Sequence, residues 1–210
     1  IDKGDHIEIG AMTSLRQIEK NEAIKGYYDG IFCQAVKSIM GMNIRNLATI
    51  GGSIMGKYSF SDIFTPLLAM DVSLVFFKSG TMTLEKYLET KRMEKDILVK
   101  ILLHKKEGRG YFHTMKKTHL DFAVINCAVT KTDKVKIVIG ARPSLAVRAT
   151  EAEEFINTHE INEASILAAA KIAKDEIKTG NNARASKEYR NELIEVYVKR
   201  GLQEVLNYEG

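Results

Sequence analysis

The 210-residue chain is 45% apolar and 28% charged, enough to bury a sizeable core, and composition excludes a disordered or fibrous class. Its 31 basic and 27 acidic residues are interspersed, giving a net charge of +4 with no long single-sign tract, so no nucleic-acid or membrane partner is expected. The longest apolar runs, such as Val72 to Phe77, are far too short to span a bilayer, and a cytoplasmic location is the expectation. Cys33 and Cys127 lack CxxC spacing and read as buried free thiols.

The chain opens on Ile1 and runs directly into a strand pattern, Ile7-Glu8-Ile9-Gly10, which suggests an upstream segment. Thr13 or Ser14 is placed to cap a short helix, with Gln17 completing a capping box on Ser14. Apolar residues at Ile24, Tyr27, Tyr28, Ile31, Phe32, Ala35, Val36 and Ile39 follow helical spacing and predict one helix ending at Gly41, its two tyrosines in the core. A glycine-bearing loop follows at Thr49-Ile50-Gly51-Gly52-Ser53. Beyond it the pattern predicts a helix through Pro66 to Met70, a strand Val72 to Phe77, a short helix around Leu84 to Leu88 and a strand Ile97 to Leu103.

The apolar pattern pauses over His104 to Gly110, so a domain boundary is drawn there, giving units 1–104 and 105–210. Three strands are expected next, Tyr111 to Lys116, Phe122 to Thr130 and Lys134 to Gly140, the last two joined at Lys131 to Lys134. Helices are expected over Glu151 to Thr158, Asn162 to Ile177 and Ser186 to Leu206. Strands followed by helices indicate an α+β fold with a three-stranded antiparallel sheet in the second unit.

The five histidines show no metal-binding spacing, and neither a nucleophile elbow, a Walker loop nor a G-x-G-x-x-G fingerprint is present. What remains is the glycine pair with hydroxyls at Thr49, Ser53, Ser59 and Ser61 and the carboxylate of Asp62. Amides and hydroxyls beside a turn suit the phosphates and polyhydroxyl chain of a nucleotide. Equally, the glycines form a tight turn and Asp62 caps the next helix.

The stretch Ile44-Arg-Asn-Leu-Ala-Thr-Ile-Gly-Gly-Ser53 resembles the I-R-N-x-A-T-[IV]-G-G-N signature of the FAD-binding (medium) subunit of molybdenum hydroxylases, the xanthine dehydrogenase and carbon monoxide dehydrogenase flavoprotein family. Ser61-Asp62, Pro66 to Ala69 and Asp71 to Leu74 continue the likeness. So do Tyr111 to Asn126, Gly140 to Ala149, Arg184-Ala-Ser-Lys-Glu-Tyr-Arg190 and Val198 to Leu202.

The resemblance implies the second half of a PCMH-type FAD-binding domain followed by the family's C-terminal domain. It carries FAD contacts onto Thr49, Ile50, Gly51, Gly52, Ser53 and Asp62, with Leu98 packing by the isoalloxazine and Ile39 lining the flavin. It further implies an oxidoreductase subunit that passes electrons to NAD or another acceptor from 2Fe-2S clusters in an iron–sulfur subunit, with molybdopterin in a molybdenum-binding subunit. Ser53 stands where the family has asparagine, and His113 where a lysine approaches the flavin's polar edge. The family's G-G-T-[DE] loop, on an N-terminal subdomain, is not found between Ile1 and Gly210, so this chain is expected to form one wall of the flavin cleft and to be isolated without FAD. A cofactor-free scaffold subunit is the alternative.

Overall fold

The computed structural model describes residues 1–90 and 95–208. Strand β1 (His6–Gly10) buries Ile7 and Ile9 on one face. Ser14 then caps α1 (Leu15–Glu19) with Gln17 in the expected reciprocal box. The single long helix expected up to Gly41 is instead broken in two. A short α2 (Glu22–Lys25) and a 3₁₀ turn over Tyr28–Gly30 precede α3 (Ile31–Ser38).

The break has a local cause: Tyr28, Asp29 and Gly30 all take positive φ, 50°, 53° and 74°, which no α-helix tolerates. Tertiary contact holds them there, because the Asp29 carboxylate accepts from the Gly110 amide at 3.0 Å and the Arg109 guanidinium at 3.3 Å. The apolar face survives the break, and Ile24, Tyr28, Ile31, Phe32, Ala35 and Val36 are all buried.

After α4 (Met42–Leu47), which buries none of its residues, the expected glycine loop is the helix α5 (Ile50–Met55), capped by Thr49. The chain continues through α6 (Phe64–Ala69), β2 (Val72–Phe76), β3 (Gly80–Thr83), α7 (Leu84–Glu89) and β4 (Leu98–His104). The first sheet is antiparallel in the order β1-β4-β2-β3. Strand β3 escapes sequence reading because its Gly-Thr-Met-Thr run lies at an edge and carries only one apolar side chain.

The second sheet has four strands rather than three, β5 (Arg109–Met115), β6 (Ile125–Lys131), β7 (Val135–Gly140) and the two-residue β8 (Val147–Arg148), all antiparallel in sequence order. Helices α8 (Thr150–Thr158), α9 (Glu163–Glu176) and α10 (Lys187–Val205) cover one face. Helices α3 and α6 cover the other, so six of the seven residues of β6 are buried and its two faces belong to different cores. Cys127 points into the α10 core and Ala128 into the α6 core. The β6 face toward α6 carries Asn126, Ala128 and Thr130, with Asn126 Nδ2 donating to Asp62 and Thr130 Oγ1 to the Ala69 carbonyl, so buried hydrogen bonds help fasten the two units. Cys33 and Cys127 are both buried free thiols.

Candidate functional site

The Thr49–Ser53 segment is anchored to the end of β1 through a bulge. Between β2 and β4 the register shifts, leaving Val99 unpaired in the ladder, and its carbonyl accepts from the Ala11 amide at 2.9 Å. The Ala11 carbonyl in turn accepts from the Gly51 amide at 2.8 Å. A Cβ on Gly51 would stand 2.7 Å from that carbonyl oxygen, so close approach of two backbones requires glycine there. Gly52 is exposed and does not take positive φ.

The four amides from Ile50 to Ser53 all have acceptors inside the chain. Ile50 donates to the Thr13 carbonyl at 3.0 Å, Gly52 to Thr49 Oγ1 at 3.2 Å and Ser53 to the Thr49 carbonyl at 3.0 Å. The Ser53 hydroxyl also turns back on the Thr49 carbonyl. The glycine pair therefore lies in a helical first turn with its amides paired inside the chain, nearer the second of the two readings the residues left open.

A concavity of about 200 Å³ lies beside this helix. Its apolar wall is Ile39, Met40, Ile44 and Ala48, and its aromatic wall is Tyr58, Phe60 and Phe122, with Phe60 stacked on Tyr58 and 4.2 Å from Phe122 between ring centroids. Ser53, Ser61, Asp62, Lys116 and Asp121 supply the polar lining. Asp62 does not cap α6, which has no side-chain cap; Ser61 Oγ accepts from the Ile63 amide just before it. Instead its carboxylate meets Lys116 Nζ at 2.9 Å, Thr114 Oγ1 at 2.9 Å and Asn126 Nδ2 at 2.8 Å. Lys116 also donates to the Ser38 carbonyl at 2.6 Å, and Thr65 Oγ1 donates to Asn126 Oδ1 at 2.6 Å. An ion pair this buried holds only when its remaining donors and acceptors are matched, as they are here.

The fold gathers Ile39, Ser53 and Asp62 at one concavity and leaves Leu98 and His113 outside it. Leu98 is buried in the first sheet, where it pairs with Phe76. On β5, side chains alternate, so Phe112 and Thr114 face α3 and Asp62 while Tyr111, His113 and Met115 face α10. His113 packs 4.4 Å from the Tyr197 ring, and burial, with help from Arg200, holds its pKa below the ordinary histidine value. Lys116, whose charge the sequence also offers as a substitute for the lysine missing at 113, lines the concavity. Only strand parity could have signalled this, and the end of β5 is not readable from the sequence to one residue.

Residues 2–103 match the family model for the FAD binding domain in molybdopterin dehydrogenase, and residues 110–205 match that for the CO dehydrogenase flavoprotein C-terminal domain. The chain belongs to the FAD-binding subunits of the molybdenum hydroxylases. It is 23% identical to the xanthine dehydrogenase FAD-binding subunit of Escherichia coli O157:H7, spanning 97% of this chain and 75% of that one. It is 22% identical to the glyceraldehyde dehydrogenase medium chain of Sulfolobus acidocaldarius, spanning 95% and 75%. Among solved structures, a chain of carbon monoxide dehydrogenase from Hydrogenophaga pseudoflava superposes with a TM-score of 0.90 at 21% identity over 99% of this chain and 77% of that one. Quinoline 2-oxidoreductase from Pseudomonas putida 86 gives a TM-score of 0.88 at 16% identity, with coverage of 99% and 77%.

For this FAD-subunit family member, the concavity fits one part of a flavin better than another. Aromatic and aliphatic walls with one polar edge suit a flat ring system. The volume is below the roughly 300–1,000 Å³ of sites that enclose a whole ligand, and the amides of residues 50–53 have no donor to spare for phosphate. Among the described residues no cluster of three or more His, Cys, Asp or Glu is placed to hold a metal ion, and no helix is long and apolar enough to cross a membrane.

Proposed function

We propose that the concavity between α5, the Tyr58–Ile63 segment and the end of β5 receives part of the FAD isoalloxazine, and that the chain is the electron-passing flavoprotein part of a xanthine dehydrogenase-like complex. Residues 1–104 then act as the second part of the flavin domain, forming one wall of the cleft, and residues 105–210 as the domain closing it from the Lys116 side. Electrons would arrive from 2Fe-2S clusters in an iron–sulfur subunit, downstream of molybdopterin in a molybdenum-binding subunit, and leave to NAD or another acceptor. When bound, FAD supplies the redox chemistry. The chain's own residues hold and shade the ring: Phe60 and Phe122 offer faces to stack on, Ile39 and Ile44 exclude water, and the neutral Lys116–Asp62 pair forms the polar edge.

The observation that carries this reading is the joining of three family-matched positions, Ile39, Ser53 and Asp62, with Lys116 and an aromatic wall at one place. FAD titrated with the chain should lose fluorescence saturably in the high-micromolar range, because only the ring finds partners. Phe122→Ala should weaken that binding about tenfold, the equivalent of 1.4 kcal/mol and within the range of an aromatic contact. Identical quenching curves for wild type and Phe122→Ala would remove the pocket from the assignment. The closed amides of residues 50–53 favour one second reading, a scaffold subunit without cofactor, for which no FAD quenching occurs at any accessible protein concentration.

A further inference from the structure

The Arg184-Ala-Ser-Lys-Glu-Tyr-Arg190 segment has no role in the reading above, and the structure gives it one. Arg190 is fully buried on α10, and each of its acceptors is neutral: the Val124 carbonyl at 2.8 Å, Gly180 at 2.5 Å, Ala185 at 2.7 Å and Asn182 Oδ1 at 2.7 Å. Among the described residues no carboxylate lies within ion-pair distance of it. A buried guanidinium without a counter-ion is expensive, so it is retained where its geometry or its charge is used.

Both uses converge on the loop 180–185. The guanidinium fixes that loop against the start of β6, and the loop carries Arg184 to 4.9 Å from the centre of the Phe122 ring, on the aromatic wall of the pocket. Lys117 joins it, donating to the Ala183 carbonyl at 3.3 Å. The single carboxylate facing these cations is Asp121, 3.6 Å from Arg184 Nε and already accepting from the Phe122 amide. Deeper in, Lys116 is neutralised by Asp62. Beside Phe122, Lys117 and Arg184 therefore stand against one carboxylate, Asp121, with the Arg190 guanidinium buried behind their loop. The charge of Arg184, after burial itself, lowers the pKa of Arg190, as expected of like charges held together without an anion.

We propose that Arg184, positioned by Arg190, binds the phosphate of a nucleotide-type ligand at the mouth of the Phe60–Phe122 pocket. The inference rests on the flavin reading only for the identity of the ring inside the pocket. The phosphate belongs either to the flavin itself or to a second nucleotide that meets it, and the two sources separate experimentally. Arg184 presents a planar fork suited to phosphate, and its guanidinium remains partly exposed.

Riboflavin, FMN and ADP are the probes, each titrated into wild type, Arg184→Ala, Arg184→Lys and Asp121→Asn. If the phosphate is the flavin's own, FMN binds wild type at least tenfold more tightly than riboflavin, and Arg184→Ala brings that ratio to near one. If it belongs to a second nucleotide, FMN and riboflavin bind alike, and ADP binds riboflavin-saturated protein with an affinity that falls about tenfold in Arg184→Ala. Either way, Arg184→Lys retains part of the effect, and Asp121→Asn tightens phosphate binding, a gain that a merely structural role for the loop would not produce. Absence of riboflavin binding with ADP binding that still depends on Arg184 would refute the flavin reading and leave this one standing. Binding of all three probes that is indifferent to Arg184 and Asp121 would overturn it.

Discussion

Asp62 and Arg190 are both buried charges, one at the floor of the pocket and one behind its mouth, and the chain treats them in opposite ways. Asp62 is closed locally by a lysine, a threonine and an asparagine, so the floor is electrically neutral and rigid. Arg190 is solvated by carbonyls and one amide oxygen alone, so each of its nitrogens has a hydrogen-bond acceptor while its charge has no counter-ion. Full hydrogen bonding and charge balance are separate conditions, and only the second leaves a field that a ligand can answer.

The sharpest way to break the comparison is to remove one partner at the floor. Lys116→Ala leaves the Asp62 carboxylate buried without its cation and should cost about 3–5 kcal/mol of stability in chemical denaturation, with Asp62→Ala and Lys116→Ala together costing less than the sum of the single changes. A loss below 1 kcal/mol would mean that the pair is solvated in solution. Arg190→Met is expected to cost less, about 2–3 kcal/mol, because the loop it anchors is at the surface and its freed carbonyls can turn to water. Hydrogen exchange should accelerate at Ala183 to Ala185 and not in β6.

The glycine pair gives the next smaller contrast. Gly51→Ala forces a methyl group against the Ala11 carbonyl and should destabilise by about 1–3 kcal/mol. Gly52→Ala meets only the Thr49 hydroxyl at 3.3 Å, and removing a helical glycine offsets that crowding, so its effect should be near zero. Equal losses at both positions would show that the segment is not the helix described.

The smallest effect is the pH response of His113. Its folded-state pKa is lowered by burial and by Arg200, so the neutral form is favoured on folding. Its contribution is therefore complete above the unfolded value of about 6.5 and fades as pH falls through that value toward the folded one. His113→Phe should flatten this acid-side decline between pH 7 and 5, and it should leave flavin affinity unchanged because the ring faces α10. A change in flavin affinity would place His113 at the pocket after all.

Much of this architecture was legible because its signals are local. The box at Ser14 and Gln17 needs only residues three apart and forms as expected, and the helices expected to start at Asn162 and Ser186 do start there, each capped by that residue's own side chain. The strand expected at Lys134 to Gly140 and the helix expected from Ser186 likewise form, though the strand is covered on both faces, with Val138 buried opposite Ile137 and Ile139. The break at Tyr28 to Gly30 was not legible, because the partner that stabilises it, the Gly110 amide, lies 81 residues away. The pocket residues were legible only in part. Ile39, Ser53 and Asp62 came from motif resemblance, whereas Lys116, Phe60, Phe122 and Arg184 come together only across elements.

The sequence by itself determined most of the strands and helices, the apolar faces that make them pack, the free thiols and the family, since each is written in spacing or motif along one stretch of chain. The tertiary structure decided which face of β5 meets the pocket, whether the amides of Ile50 to Ser53 are open or closed, and which charges are balanced. Those outcomes depend on strand parity and on partners tens of residues distant, such as Ala11 for Gly51, Lys116 for Asp62 and Val124 for Arg190.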